Sequence, residues 1–302
     1  MIKTVKEIRE DTIFNLINYT LLFVVILIIL YPLYFIVIAS ISGPNAVALN
    51  RIVFVPIDFT LESYNNVFKN SIIWIGYRNT ILYTTFGTLF NLFLTIPCAY
   101  AFSKKDLPGR RPLLFIFTFT MYFSGGLIPT YLLVKSLRLP NTPYVMMILG
   151  GLSVYNLIIT RTYFENSIPH ELYEAARIDG HSEIGIFLRI ALPLAGPIIA
   201  VMTLYYAVGH WNSFFSALIY LTREALYPLQ LILRNILLEN QLLNIDWSTL
   251  SDEDAVMFAE RSKMVETMKY ALIFISSAPV LAAYPFVQKY FVKGAMIGAV
   301  KG

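Results

Sequence analysis

The chain has 302 residues, of which 57% are hydrophobic and 14% are charged, and its mean hydropathy is +0.63. The apolar residues come in long runs, which excludes an ordinary soluble domain and indicates membrane spans. The net charge of +4 is too small to favour nucleic-acid binding, and the single cysteine, Cys98, is interpreted as a small buried apolar residue that excludes a disulfide pair or a thiolate metal cluster.

The first two predicted spans lie on either side of a mixed loop. Residues 1–12 are polar, with Lys3, Lys6 and Arg9, and the apolar run Phe14 to Ala39 that follows is too long for a secretion signal, so it predicts an uncleaved first span. The second span is predicted at about 71–102. The next loop reads SKKDLPGRR, and four cations in so short a loop mark the cytoplasmic side.

The third predicted span, at about 112–134, contains glycines and a proline within Phe123–Pro129. Such residues weaken helical hydrogen bonding in lipid, so their presence needs a reason. Either they kink the helix near a transport pathway, or they allow close packing against another helix, and the residues leave both alternatives open. A fourth span is predicted at about 143–160.

A polar segment at about 161–192 follows and contains two helix patterns. Ser167 is predicted to cap the first helix, and Asp179-Gly180 to end it, because glycine accepts the left-handed conformation of a helix end. Ser182 is predicted to cap the second helix, and Pro193 to close it. The segment is therefore expected to form a helix, a turn and a helix where membrane meets water.

The first of these helices has a candidate docking face. The face combines small and apolar side chains with acceptors at its edge, and its residues at helical spacing are Leu172, Ala175, Ala176 and Asp179, with Glu174 beside them. The same pattern is typical of an amphipathic interfacial helix pair without a partner, and spacing alone does not decide between the two. A DNA-reading helix-turn-helix is disfavoured, because spans flank the segment closely on both sides.

Two further spans complete the predicted organisation. The fifth lies at about 193–221 and the sixth at about 269–287. Six spans put both chain ends on the side of the cationic loop. The predicted regions are an N-terminal segment at 1–12, a transmembrane domain at 13–292 with the interfacial loop at 161–192 and an outer segment at 222–268, and a tail at 293–302.

Catalytic and metal-binding patterns are missing from the sequence. No GxxxxGK[ST] motif occurs, so the chain itself is not expected to bind nucleotide phosphates, and its three histidines lack metal-ligand spacing. We therefore expect no catalytic residue, no metal and no cofactor in this chain. The spans are nearly free of ionisable groups, with His210 as the main exception, which disfavours an ion-coupled transporter and places the energy source outside the chain.

The candidate pathway residues are neutral. They combine amides, which suit the hydroxyls of a sugar, with aromatic rings, which suit its apolar faces: Asn91, Tyr83, Tyr122, Tyr155, Asn156, Trp211 and Asn212. Such a lining favours a neutral, polyhydroxylated ligand. Tyrosine and tryptophan are also enriched at membrane interfaces for reasons unrelated to any ligand, so each residue has that alternative.

The interfacial segment resembles the signature loop of ATP-binding-cassette (ABC) importer permeases. That pattern is Glu-Ala-Ala, two residues, Asp-Gly-Ala, a later Ile-x-Leu-Pro and a further Pro; here it reads Glu174-Ala175-Ala176, Asp179-Gly180, Ile190-Ala191-Leu192-Pro193 and Pro197. His181 stands where alanine is usual. The resemblance implies a coupling helix seated in a cleft of an ATPase subunit, with Leu172, Glu174, Ala175, Ala176, Asp179 and Gly180 as its coupling residues.

Other stretches look like the carbohydrate class of these permeases. Trp211-Asn212-x-Phe214-Phe215, the run Tyr284–Gly294 and the ending Val300-Lys301-Gly302 resemble the second maltose-type permease, and Phe123–Leu137 is similar to a branch for larger oligosaccharides and polysaccharide fragments, common in Gram-positive bacteria. The resemblance covers essentially the whole chain. It implies an all-α membrane protein with six transmembrane helices of the type I ABC importer permease fold and a cytoplasmic coupling helix between spans four and five.

The resemblance also implies the partners and the location. Expected partners are a second homologous permease in a heterodimer, two ATP-binding subunits that hold ATP and Mg, an extracellular solute-binding lipoprotein and membrane lipid, but no nucleic acid. The tail at Val300, Lys301 and Gly302 is expected to contact the ATPase, with a disordered terminus as its alternative. The segment Asn240 to Leu250 is expected to face the binding protein. The expected location is a bacterial plasma membrane, Gram-positive, with both termini cytoplasmic.

The implied function is import of a sugar, an oligosaccharide in particular, by alternating access. Two other functions stay open in the sequence. One is an ABC importer for a non-sugar solute, such as an amino acid or phosphate. The other is a membrane-embedded enzyme or scaffold. The absence of catalytic clusters and the presence of the signature loop both disfavour it.

Overall fold

The structure is a computed structural model that describes residues 5–242, 263, 265, 267–285 and 288. The predicted tail contact at Val300, Lys301 and Gly302 lies outside these residues, and so does most of Asn240 to Leu250, the part of the outer segment 222–268 that is expected to face the binding protein. The described residues contain helices and connecting turns without β-strands.

The helices follow in chain order, with their bounds. They are α1 Val5–Ser40, α2 Pro44–Ala48, α3 Glu62–Lys69, α4 Ser71–Ser103, α5 Arg110–Tyr122, α6 Leu127–Ser136, α7 Pro143–Ile148, α8 Val154–Asn166, α9 His170–Ile178, α10 Glu183–Ile186, a π-helical segment Phe187–Ala191, α11 Leu192–Leu194, α12 Gly196–Trp211, α13 Phe214–Tyr220, a 3₁₀ turn Glu224–Leu226, α14 Leu229–Leu242 and α15 Thr267–Pro285.

Three helices in the described part are long and apolar enough to cross a membrane. They are the α1 portion Thr12–Ser40, α4 and α15, and the count rises to five if each of two bent helix pairs is one span. The fourth predicted span, at about 143–160, is not a single helix, because the chain leaves helical conformation between α7 and α8. Gly150 lies in that break with φ 72°, a conformation that glycine adopts without strain.

The glycines of the third predicted span produce a sharp bend. α5 and α6 meet at an angle of 113°, and Gly126 between them has φ 83°. A Cβ atom on Gly126 would meet no atom of the described residues within 4 Å, so within this part of the chain Gly126 makes no close packing contact and its positive φ is the feature that requires glycine. Of the two alternatives left open by the sequence, the structure favours the kink.

The chain divides into two compact units, and the first combines residues up to Asn70 with Asn235–Ser276. In it, the side chains of α1 from Leu21 to Leu33 are apolar or aromatic on every face and exposed, as expected of a helix whose solvent is lipid. A small core of Ile38, Ala39, Ala46, Val47 and Ile52 closes this unit.

The second unit includes Ser71–Arg234, and α4 lies at its centre. α4 packs against α7, α8 and α12. One core cluster joins α4, α8, α9 and α12 through side chains such as Tyr100, Phe164, Tyr173 and Met202. Because α9 contributes to this core, the interfacial segment is continuous with the membrane helices.

Candidate functional site

The interfacial segment forms the predicted helix-turn-helix, with one change at its start. α8 continues to Asn166, so Ser167 is the residue that ends α8, and its backbone N–H donates to the Tyr163 carbonyl at 2.9 Å. α9 begins after Pro169. The prediction that Ser167 caps α9 is wrong. α8 extends beyond its predicted end, so Ser167 is the C-terminal cap of α8 and Pro169 precedes α9.

The turn after α9 has the predicted chemistry. Gly180 has φ 77°, its N–H donates to the Arg177 carbonyl at 3.1 Å, and the His181 N–H donates to the Ala176 carbonyl at 3.0 Å. These two bonds are the pair that closes a helix on a left-handed glycine. The hydroxyl of Ser182 accepts from the Gly185 N–H at 3.2 Å and caps α10. Both predictions, the stop at Asp179-Gly180 and the cap at Ser182, are confirmed.

The second helix does not close at Pro193. The helical run continues through a π-helical segment, Phe187–Ala191, to Leu194, and it bends by 77° before α12. Proline has no N–H to bond the carbonyl four residues earlier, which belongs to Arg189. The wider π turn around Arg189 lets the run pass through the proline, so the break comes at Ala195.

The residues exposed on α9 are not the same as those of the predicted docking face. Tyr173 and Ala176 point inward and are 4% and 3% exposed. The outward side presents, in chain order, Leu172, Glu174, Ala175, Ile178 and Asp179. Ala176 therefore packs in the chain's own core and does not share one exposed face with Leu172, Ala175 and Asp179. Ile178, which is 87% exposed, was missed by the sequence reasoning although its spacing from Ala175 signals it.

Lys104, at the end of α4, binds the inward side of α9. Its Nζ lies 3.5 Å from the ring centroid of Tyr173 and 4.5 Å from that of Tyr100. Burial raises the pKa of Tyr173 to about 12, so its ring faces the ammonium as a neutral phenol at physiological pH. Burial lowers the pKa of Lys104, while the Glu183 carboxylate opposes this shift. The sequence reasoning used this lysine only to orient the chain.

Arg177 connects the same elements on the outer side. Its guanidinium lies 2.8 Å from the Glu183 carboxylate of α10 and 3.4 Å from the Asp106 carboxylate of the α4–α5 loop. All three side chains are substantially exposed, so the ion pairs contribute little by themselves. They mark the place where the cationic loop meets the interfacial helices.

A second candidate site is a cavity of about 280 Å³ inside the second unit. α4, α7, α8, α12, α13 and the α7–α8 break line it, and its polar lining includes Asn91, Ser153, Asn156, Tyr206, His210 and Ser213. Two of the seven predicted pathway residues, Asn91 and Asn156, line this cavity. The other five do not.

Asn91 uses its side-chain amide within the protein. The Nδ2 atom donates to the carbonyls of Gly150 and Gly151 at 3.2 and 2.8 Å, and Oδ1 lies 2.7 Å from Nε2 of His210. The α7–α8 break leaves these carbonyls without helical partners, and unpaired backbone groups are costly where no water reaches them. Asn91 is 1% exposed, and its amide replaces the missing helical bonds.

Gly87 makes room for His210 on α12. A Cβ atom at position 87 would lie 2.4 Å from Cε1 of the imidazole, a distance that real side chains do not tolerate. The histidine, the one ionisable group singled out within the spans, is thus held between a glycine and an asparagine of α4.

Asn156 differs from Asn91 in its bonding. It lies in the first turn of α8, where its backbone N–H donates to the hydroxyl of Ser153 at 3.4 Å. Among the described residues, the structure gives its side-chain amide no hydrogen-bond partner, although only 6% of the residue is exposed. Its amide is therefore available to a ligand in the cavity.

The remaining predicted pathway residues have other surroundings. The Tyr83 hydroxyl donates to the Leu226 carbonyl, Asn212 donates to the Val208 carbonyl, and the buried Trp211 packs edge-on against Tyr77. Tyr122 and Tyr155 are 75% and 54% exposed on the chain surface. In the described part of the chain, no group of three or more His, Cys, Asp or Glu side chains could hold a metal ion.

Comparison with known families identifies the chain. The family described as "Binding-protein-dependent transport system inner membrane component" matches residues 72–295. The chain belongs to this family. The expected resemblance to ABC importer permeases is thereby confirmed for the greater part of the sequence, including the interfacial segment and the cavity.

Individual relatives of the permease chain match nearly its whole length. The Bacillus subtilis polygalacturonan/rhamnogalacturonan transport system permease protein YtcP is 37% identical over 293 residues, which cover 97% of this chain and all of YtcP. Protein LplC of the same organism is 39% identical over 301 residues, which cover 100% of this chain and 99% of LplC.

A solved structure has the same fold. It is the crystal structure of a bacterial ABC transporter involved in the import of the acidic polysaccharide alginate, and one of its chains is 37% identical with a TM-score of 0.83. The match covers 94% of this chain and 98% of that chain.

Proposed function

We propose that the chain is the transmembrane permease subunit of an ATP-driven importer that moves an oligosaccharide inward from an extracellular binding protein. The observation that carries the proposal is its likeness, over 97% of its length, to a permease named for transport of polygalacturonan and rhamnogalacturonan. The likeness to the alginate importer structure supports the same class of substrate, a fragment of a polysaccharide.

The proposed topology has six spans of the type I importer permease fold. The transmembrane domain extends over 13–292, with the coupling loop at 161–192 and an outer segment at 222–268. The segments 1–12 and 293–302 are cytoplasmic, in the plasma membrane of a Gram-positive bacterium. Its support is the apolar character of α1, α4 and α15 and the two bent helix pairs, together with a cationic loop that contacts α9.

The proposed partners divide the work. Two ATP-binding subunits bind ATP and Mg and hydrolyse the nucleotide, and the permease chain itself is not an enzyme. Those subunits receive the exposed side of α9 and the tail residues Val300, Lys301 and Gly302. A second, homologous permease completes the pore, because so small a helix bundle does not enclose a route for an oligosaccharide alone.

The proposed mechanism is alternating access, and the way α9 is attached supports it. When ATP closes the two ATPase subunits, they displace α9. Because Tyr173 and Ala176 belong to the same core as α4, α8 and α12, displacement of α9 shifts these helices together. The pathway then opens to the outside, and the sugar passes from the binding protein into the cavity between the permeases.

The exposed side of α9 yields a prediction about charge. Glu174→Lys reverses an exposed carboxylate on the coupling helix without removing a buried contact. We expect sugar uptake to fall about tenfold or more while the purified complex keeps its subunits and hydrolyses ATP, because a reversed charge across an interface costs several kcal/mol. Glu174→Gln is the matched control and should retain more uptake. Uptake at the wild-type rate by the lysine variant would remove Glu174 from the coupling site.

The cavity yields a prediction about substrate binding. Asn156→Ala removes an amide that has no partner among the described residues, so we expect the KM for uptake to rise about three- to tenfold, since one hydrogen bond to a neutral ligand contributes roughly 1 kcal/mol. The thermal midpoint of the complex should not change. Asn212→Ala, which removes an amide bonded to the Val208 carbonyl, is the control and should leave KM unchanged. A KM for Asn156→Ala equal to that of wild type would exclude contact with the sugar.

The test of the proposal as a whole is ATPase activity of the reconstituted complex. The binding protein is supplied with a panel of neutral oligosaccharides, acidic oligosaccharides and amino acids. Stimulation by one class of oligosaccharide is the expected result. Stimulation by amino acids alone would favour the alternative, an importer of a non-sugar solute.

A further inference from the structure

The outer end of α4 is fastened to the segment that follows α13. Asn79 Nδ2 donates to the carbonyls of Ala225 and Tyr227 at 2.9 and 3.1 Å, and the Tyr83 hydroxyl donates to the Leu226 carbonyl at 2.9 Å. In addition, the Leu229 N–H donates to the Thr80 hydroxyl at 2.8 Å. Side chains from two adjacent turns of α4 therefore bond the backbone from Ala225 to Leu229, which we call the outer latch.

The other end of α4 is fastened to α9. The Nζ atom of Lys104 lies over the rings of both Tyr100 and Tyr173, and those two rings also meet edge to face at a centroid distance of 6.2 Å. Both tyrosines are largely buried, at 7% and 4% exposure, and Lys104 itself is half-buried. We call these three residues the inner clamp. A cation held against shielded aromatic faces is bound more firmly than the exposed Arg177 ion pairs.

The two fastenings are separated by about the thickness of a membrane. From Asn79 to Tyr100 the helix rises roughly 30 Å at ~1.5 Å per residue, and the hydrocarbon core of a bilayer is about 30 Å thick. α4 thus has the outer latch and the inner clamp at opposite sides of the membrane, and both belong to the same compact unit.

We propose that Lys104 is the positioning residue that holds the coupling helix to α4, and that α4 transmits the movement of this helix across the membrane to the outer latch. The proposal rests on the proposed function for the role of α9. It adds α4 as the helix that transmits the movement of α9 and Lys104 as the side chain that connects α9 to α4. Without the ammonium, α9 still docks on the ATPase, but its displacement is passed to α4 less completely.

The first test measures sugar transported per ATP hydrolysed, in proteoliposomes that contain the complete complex and its binding protein. Lys104→Met keeps the length of the side chain and removes its charge, and we expect the ratio to fall about three- to tenfold, within the range that a partly desolvated cation–π contact allows. Lys104→Arg keeps the contact and should stay within twofold of wild type. Lys105→Met removes the charge of the exposed neighbour and should not alter the ratio.

Variants of Tyr173 separate the ring from its hydroxyl. The Tyr173 hydroxyl is buried without a hydrogen-bond partner in the described residues, so Tyr173→Phe should transport normally. Tyr173→Leu removes the ring and should reproduce the loss seen in Lys104→Met. A wild-type ratio in Lys104→Met, an equal loss in Lys105→Met, or failure of arginine to rescue would overturn the assignment of Lys104.

A double-mutant cycle tests whether α4 connects the two ends. Tyr83→Phe removes one bond of the outer latch and should lower the ratio about twofold to fivefold by itself, the effect of one hydrogen bond. The double variant with Lys104→Met should transport about as much sugar per ATP as Lys104→Met alone, because both changes interrupt the same transmission through α4. Losses that simply multiply would overturn the connection through α4.

Hydrogen exchange distinguishes failure of this proposal from failure of the proposed function. It follows the backbone amides of α9 in the purified complex and depends on no transported solute. Lys104→Met should speed their exchange about three- to tenfold, whereas Lys105→Met should not. Unchanged exchange overturns the clamp even if sugar is imported. Faster exchange in a complex whose wild type imports no sugar supports the clamp and removes only the sugar assignment.

Discussion

We expect Gly180→Pro, a substitution at the end of α9, to abolish sugar import while ATP hydrolysis continues. Gly180 has φ 77°, whereas proline holds φ near −65°, and proline also lacks the N–H that bonds the Arg177 carbonyl. The substitution therefore removes the helix end and unwinds the turn that presents Asp179, at a local cost of about 3 kcal/mol or more. A coupling helix whose end is not fixed cannot transmit the movement of the ATPase subunits to the spans.

The damage should stay local, which makes the result interpretable. A Cβ atom at position 180 would meet no atom within 4 Å, so the strain is expected to stay in the backbone of Asp179 and Gly180 and not to displace other elements. Gly180→Asn is the matched control, because asparagine tolerates the left-handed conformation, and it should keep most of the uptake. The measurements are uptake and ATPase rate of the same purified complex. Import by Gly180→Pro at more than about half the wild-type rate would contradict the role of α9 as the coupling helix.

The largest loss of stability is expected for Asn91→Leu. Leucine is close to asparagine in size but leaves the carbonyls of Gly150 and Gly151 and the Nε2 atom of His210 without the amide that pairs them. An unpaired polar group costs about 1–3 kcal/mol when it is buried, and because Gly150 is exposed and Gly151 half-buried, the total should reach roughly 2–3 kcal/mol. The observable is a clear drop in the thermal midpoint of the purified complex.

Asn156→Leu is the matched control for this experiment. It makes the same change in the same cavity, at an amide with no partner among the described residues, and should lower the midpoint much less. Equal midpoints for the two variants would show that Asn91 does not support the α7–α8 break. Together with the KM of Asn156→Ala, the pair separates an amide that holds the fold from one that binds the ligand.

Local signals in the sequence were the most reliable ones. The stop at Asp179-Gly180 and the cap at Ser182 depend on bonds within one or two turns, and both are confirmed. Ser167 and Pro193 carry equally good local signals, yet α8 extends through the turn before Ser167, and a π-helical segment carries the chain past Pro193. The first error arose because the preceding helix α8 ends at Ser167, and the second because a π-helical segment within the same run carries the chain past Pro193.

The roles of polar side chains were harder to predict. Asn91 and Asn156 have the same chemistry and similar apolar surroundings in the sequence, and both were predicted to contact substrate. What separates them is the pair of glycine carbonyls that the α7–α8 break brings to Asn91. Those carbonyls lie about 60 residues away along the chain, so no local pattern contains the information. The contact between Lys104 and Tyr173 was missed for the same reason.

By itself, the sequence determined the class of the protein. Long apolar runs require a membrane, because only lipid solvates them, and the Glu-Ala-Ala…Asp-Gly loop between apolar runs identified an importer permease, as the family match confirms. The tertiary structure decided which face of α9 is buried, which asparagine is structural, and that Lys104 fastens α9 to α4. These features depend on pairs of side chains distant in sequence, and only the packing of α4 against α8, α9 and α12 brings them within contact distance.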